Sequence, residues 1–226
     1  MIRAVTSTAP FYMADNTSRM IKLLGAMRKQ MNGAVADAMF YYGNNYGLNY
    51  GVSLPTVRQI AREQTTDHEL ALYLYKQQVR ELRLAALHIA EPERITVQEL
   101  PTWEEGVINS EVAEEMAFAL LPRTTILKDI FDKWSRSDNE FLAYSALMAA
   151  ARSESALDES RLHTLPAIVE RFASSRIIAQ GVVAMLATAY EHNAETKAAI
   201  QDILDKMGNG AASAYIKDEI SWRIEY

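Results

Sequence analysis

One helical phrase keeps returning along this chain, at residues 80–90 (RELRLAALHIA), 138–152 (DNEFLAYSALMAAAR) and 174–190 (SSRIIAQGVVAMLATAY). Each copy opens on polar or charged residues and runs into an apolar helix rich in Ala, Ser and Gly, the residue types that let another helix come close. A helix of this kind cannot bury its apolar face alone, so its recurrence at intervals of some tens of residues predicts stacked helix pairs. The expected fold is therefore all-α: an α-solenoid of antiparallel, HEAT-like helix pairs, about six of them at a repeat length near 40 residues. Ala85, Ala86, Ser145, Ala146 and Gly181 are the positions expected at helix crossings.

Helical patterning covers nearly the whole chain, over residues 17–37, 53–63, 67–76, 79–90, 103–107, 111–121, 125–134, 138–152, 158–172, 174–190, 194–206 and 211–222. Ser53 with Pro55, Asp67, and the run Ser137, Asp138, Asn139 are N-terminal cap signals, while Pro122 and the cluster Gly208, Asn209, Gly210 are stop signals. No Pro-, Ser- or Gly-rich linker divides the chain, and 226 residues that are 49% hydrophobic suit one repeat domain over 1–226.

Composition narrows the chemistry. With no cysteine there is no disulfide, thiolate metal site or cysteine nucleophile, and His68, His88, His163 and His192 have no metal-ligand spacing, so neither a metal nor a cofactor is expected. No apolar run nears the roughly 18 residues of a membrane span, and the N-terminus lacks the basic-then-apolar order of a signal peptide. The expectation is a cytoplasmic protein without a membrane partner. Every apolar stripe has an intramolecular neighbour to bury against, so a monomer is expected. The net charge of −6 argues against indiscriminate binding to phosphates. Residues 1–113 hold 11 Lys and Arg against 12 Asp and Glu, and residues 114–226 hold 12 against 17. A DNA-binding face in the second half must therefore come from segregation of charge between faces.

Residues 40–55 (FYYGNNYGLNYGVSLP) interrupt the helices with tyrosines, asparagines and glycines. The plainer reading is a turn whose tyrosines cover the N-terminal end of the core; the alternative is a rim that stacks on or hydrogen-bonds a ligand.

Residues 51–63 (GVSLPTVRQIARE), 79–92 (VRELRLAALHIAEP), 100–122 (LPTWEEGVINSEVAEEMAFALLP) and 133–152 (KWSRSDNEFLAYSALMAAAR) follow one another as corresponding elements do in AlkD-like DNA alkylation repair proteins, which this chain resembles. The resemblance implies HEAT-like helix pairs whose concave face holds duplex DNA with alkylated bases, and excision of cationic N3- or N7-alkylated purines without the usual flipping pocket. It also implies a carboxylate that stabilises positive charge developing at the sugar, tryptophans on the deoxyribose, and basic side chains on the phosphates. Aligned position by position, the catalytic carboxylate falls on Glu115, or on Glu114 by a further slip. The phosphate-binding arginine is replaced by Tyr144, the lysine two turns later by Arg152, and a later tryptophan by a residue near Ala184. Arg83, Arg123, Lys133 and Arg176 are further candidates for phosphates, although cations at helix ends also suit the helix dipole. Glu114 and Glu115 likewise suit an early helical turn. Trp103 and Trp134 read as packing residues, and Arg80, Glu81 and Arg83 as an exposed ion-pair face. Two functions remain open: a DNA alkylation repair protein with a rearranged or silent site, and a catalytically inactive HEAT-repeat scaffold that binds a protein partner.

Overall fold

The computed structural model describes residues 9–225, with side chains for 15–224. The residues at the start of the chain that bear on a signal peptide lie largely outside this range. Regular structure is helical; the extended pairing among the described residues is an isolated bridge between Leu48 and Val79. Internal contacts gather into two compact units, residues 1–91 and 92–226.

The first unit contains α1 (Ala9–Arg28), α2 (Gly33–Tyr41), α3 (Leu54–Arg62), α4 (His68–Tyr75) and α5 (Arg80–Ile89). Sequence patterning predicts one helix over 17–37, but the chain breaks between α1 and α2. Asn32 caps α2 by accepting the Val35 N–H, so an Asn-Gly pair inside an apolar pattern acts as a new start. The predicted caps at Ser53 and Asp67 accept the N–H groups of Thr56 and Leu70. α5 packs against α3 and α4, and α1 lies against all three.

At the head of α5, Arg80 and Glu81 correct the expectation of an exposed ion-pair face. They are 1% and 0% exposed and 3.1 Å apart. The Glu81 carboxylate accepts the N–H groups of Tyr50 and Val52, and Arg80 donates to the Val52 carbonyl at 2.7 Å. The pair fastens segment 50–52 to α5. Breaking such a buried pair by removing one partner costs about 3 to 5 kcal/mol, because the other charge is left without compensation. Arg83 is buried too. Its Nε and Nη2 donate to the Tyr75 and Gln77 carbonyls, and its guanidinium sits 5.9 Å from the Tyr75 ring centre. Of the tyrosine-rich segment, Tyr50 is buried as the plainer reading requires, whereas Tyr41 and Tyr42 project into solvent.

The second unit contains α6 (Leu100–Gly106), α7 (Ser110–Ala119), α8 (Leu127–Trp134), α9 (Glu140–Ala150), α10 (Glu159–Leu162), α11 (Leu165–Arg171), α12 (Arg176–His192), α13 (Lys197–Lys206) and α14 (Ala211–Glu225). α7, α9, α12 and α14 lie side by side in one layer, backed by α8, α11 and α13. The predicted helix 158–172 divides into α10 and α11 because Pro166, in the first turn of α11, has no N–H for a bond back to Leu162. Asn139 is the cap of α9, accepting the N–H groups of Phe141 and Leu142. Trp103 and Trp134 are buried, and the Trp134 indole donates to Glu104 at 2.7 Å, tying α8 to α6.

The small residues sit where they are expected. Ala85, Ala86, Ser145 and Ala146 have no exposed surface, and Gly181 is buried. A Cβ on Gly181 would lie 3.0 Å from the Leu147 Cβ, so glycine sets how closely α12 approaches α9. Ser145 donates to the Ala113 carbonyl at 2.9 Å and ties α9 to α7.

Candidate nucleic-acid interface

The layer α7, α9, α12, α14 is backed by α8, α11 and α13, and a groove of about 640 Å³ runs along it, lined by residues of the layer itself. Helical spacing selects what faces it. From α9 come Tyr144 and Met148, with Ala151 and Arg152 just past its end; from α12, Gln180, Ala184, Thr188 and Glu191; from α14, Tyr215, Glu219 and Arg223; and from α7, Glu114. Steps of three and four residues put Tyr144, Met148 and Ala151, then Gln180, Ala184, Thr188 and Glu191, and Tyr215, Glu219 and Arg223, each on one helical face.

Three sequence candidates meet here. Tyr144 is almost enclosed, between α7 and α12. Burial pushes its phenol above the ordinary tyrosine range, the Glu114 carboxylate adds to the rise, and Arg152 opposes it. The phenol is therefore neutral at physiological pH and able to donate a hydrogen bond. Arg152 donates to the Met148 carbonyl at 2.8 Å, closing the end of α9, with its charge at the groove surface. Glu114 is exposed to the groove, while Glu115 is 1% exposed and lies on the buried side of α7. Of the two carboxylates, the groove is lined by the one that aligns less directly.

The other candidates are placed elsewhere. Arg176, at the start of α12, lies over the Tyr215 ring at 5.7 Å and so borders the groove. Arg123 turns back to the Ala119 carbonyl and closes the end of α7. Lys133 is paired with Glu104 across α8 and α6, outside the groove lining. Arg83 is held inside the first unit. The sequence reading missed the α14 contribution, although the stripe Tyr215, Glu219, Arg223 at intervals of four is legible as one helical face. Glu219 and Arg223 approach to 3.6 Å.

Charge along the groove alternates. Arg152 and Arg223 stand against Glu114, Glu191 and Glu219, so no continuous basic stripe runs through it. Among the described residues, no group of three or more His, Asp or Glu is arranged to hold a metal, and no helix is long and apolar enough to cross a membrane.

Stacked helix pairs built on small-residue crossings, with a groove along one layer, define a HEAT-like repeat protein. The chain belongs to the DNA alkylation repair enzyme family, which it matches over residues 23–214. A solved structure with 17% sequence identity superposes with a TM-score of 0.69, covering 91% of this chain and 95% of that one. That protein is described as one of a new family related to the HEAT-like repeat DNA glycosylases, with affinity for branched DNA structures. No curated protein matches the chain.

Proposed function

We propose that this chain binds DNA along the groove of α7, α9, α12 and α14, and that it excises alkylated purines weakly or not at all. The clustering of Glu114, Tyr144 and Arg152 on that groove carries the reading. Arg152 supplies a cation for a phosphate, Tyr144 a neutral aromatic edge with a donor, and Glu114 a carboxylate. What the groove lacks is a tryptophan surface and an enclosed acid. Ala184 lines the position near which the resemblance puts a tryptophan, and an exposed Glu114 is solvated and free to move. Loss of one preorganised electrostatic group costs on the order of 100- to 1000-fold in rate.

Alternating charge also bounds affinity. Each phosphate neutralised contributes about 0.9 to the logarithmic salt slope, and two arginines in the lining set a shallow slope and weak binding to undamaged duplex. The affinity of the structurally similar protein for branched DNA favours shape over sequence as what is recognised.

The test is anisotropy titration of wild type and Arg152→Glu against a duplex and a four-way junction over a range of salt, beside single-turnover release of 7-methylguanine and 3-methyladenine. Wild type should bind at low salt, the variant more weakly with a flatter salt slope, and release should be slow. Absence of binding to both probes at low salt removes DNA as the ligand. Rapid release that Glu114→Gln abolishes refutes the weak-excision half and makes Glu114 the catalytic carboxylate.

A further inference from the structure

α2 is an apolar helix with no buried side chain. Its nine residues read GAVADAMFY. At its C-terminal end Phe40, Tyr41 and Tyr42 are 71%, 83% and 81% exposed, which is unusual for three consecutive aromatic residues.

This projection is fastened at its base. The Asn32 N–H donates to the Tyr50 carbonyl at 2.8 Å, and Gly51, at φ +67, packs so tightly that a Cβ there would fall 2.1 Å from the Asn32 oxygen. Asn49 reaches Met39 Sδ at 3.3 Å, and the Leu48 N–H donates to the Gln78 carbonyl at 2.7 Å. α2 runs out, Gly43 at φ +85 turns the chain, and the following segment returns alongside. At the tip the Tyr41 and Tyr42 rings meet edge to face, 5.3 Å apart at 86°.

Charge in this stretch of the sequence departs from that of the chain. Between residues 20 and 50 stand Lys22, Arg28 and Lys29, all exposed, against the single carboxylate of Asp37, in a chain of net charge −6. Exposed aromatic faces at the tip, lysines on the segment that leads into the projection and asparagines beside it fit a nucleic-acid strand whose bases are free to stack. Paired bases inside a duplex have both faces occupied by their neighbours, so they cannot be taken up in this way. Bases at a branch, gap or frayed end can.

We infer that Phe40, Tyr41 and Tyr42 form a stacking platform for unpaired DNA bases, with Lys29 at the base of the projection available to a phosphate of the same strand. The inference rests on the reading that the chain binds DNA, and names the feature of DNA that the first unit selects.

The experiment compares full-length wild type with Phe40→Ser/Tyr41→Ser/Tyr42→Ser, whose positions contribute nothing buried. The probes are a blunt duplex and the same duplex with a single-stranded gap carrying 2-aminopurine. Wild type should prefer the gapped probe and change the 2-aminopurine fluorescence. The variant should bind the gapped probe at least about fivefold more weakly, the minimum for one lost stacking contact, and bind the blunt duplex as before. Unchanged gapped affinity and fluorescence in the variant overturn the platform while groove binding stands. Equal losses on both probes overturn it in favour of a general DNA contact. Wild-type self-association in sedimentation that the variant abolishes, with DNA affinity intact, overturns it in favour of a protein contact. Failure of wild type to bind either probe at low salt removes the DNA reading, and the platform with it.

Discussion

Tyr144 is a phenol kept neutral by its surroundings. Burial raises its pKa first, Glu114 adds to the rise, and Arg152 only partly offsets it. The difference in 295 nm absorbance between wild type and Tyr144→Phe should therefore stay small at pH 10, where an ordinary tyrosine is half ionised. In a Glu114→Gln background that difference should appear at lower pH. Half-ionisation of Tyr144 at pH 10 in the wild type would show that burial and Glu114 do not raise it. Sequence alignment put Glu115 ahead of Glu114, whereas it is Glu114 that lines the groove. One residue in a helix is a rotation of about 100°, enough to move a side chain from the groove to the interior. The same limit applied to Arg80 and Glu81, which look like a solvated pair in sequence and are buried clamps in the fold.

Among the elements, the crossing of α9 and α12 is the one most tightly dimensioned. Replacing Gly181 by Ala gains helix propensity of about 1 kcal/mol, but the new Cβ meets Leu147 at 3.0 Å, so the contact opposes that gain. Gly181→Val adds two more carbons against Leu147 and Tyr144 and should destabilise by about 1 to 3 kcal/mol, read from the urea midpoint. A valine variant as stable as wild type would mean that the helices separate freely at this point. The crossing was legible in sequence because small residues recur inside apolar helices. The breaks at Asn32 and Pro166 carry their own signals, an Asn-Gly cap and a proline, but the apolar pattern on either side outweighed them in the reading of one helix.

Across the whole molecule, the two units share a dependence on ionised aspartates. Although burial pushes both carboxyls up, Asp67 is held below the ordinary carboxylate range by the Leu70 N–H and by Arg19. Asp158 is held down by Ser160 and by the backbone and guanidinium of Arg161. A depressed native pKa stabilises the fold above the unfolded value, and that stability is lost as pH falls below about 4. Both groups are partly exposed, so each effect is modest and screened by salt. Asp67→Asn and Asp158→Asn should each lower the urea midpoint at pH 7 and narrow its fall between pH 5 and pH 3; an unchanged fall would show that other groups govern acid unfolding. The sequence by itself determined the helices, their small-residue crossing faces, most of their caps and the family resemblance, because period, capping and order along the chain are local properties. Tertiary structure alone decided that Glu114 and not Glu115 meets the groove, that Arg83 is enclosed, that α14 adds Glu219 and Arg223, and that Phe40, Tyr41 and Tyr42 stand in solvent. Which face of a helix stays open depends on the neighbours that cover the others, and those neighbours lie tens of residues away.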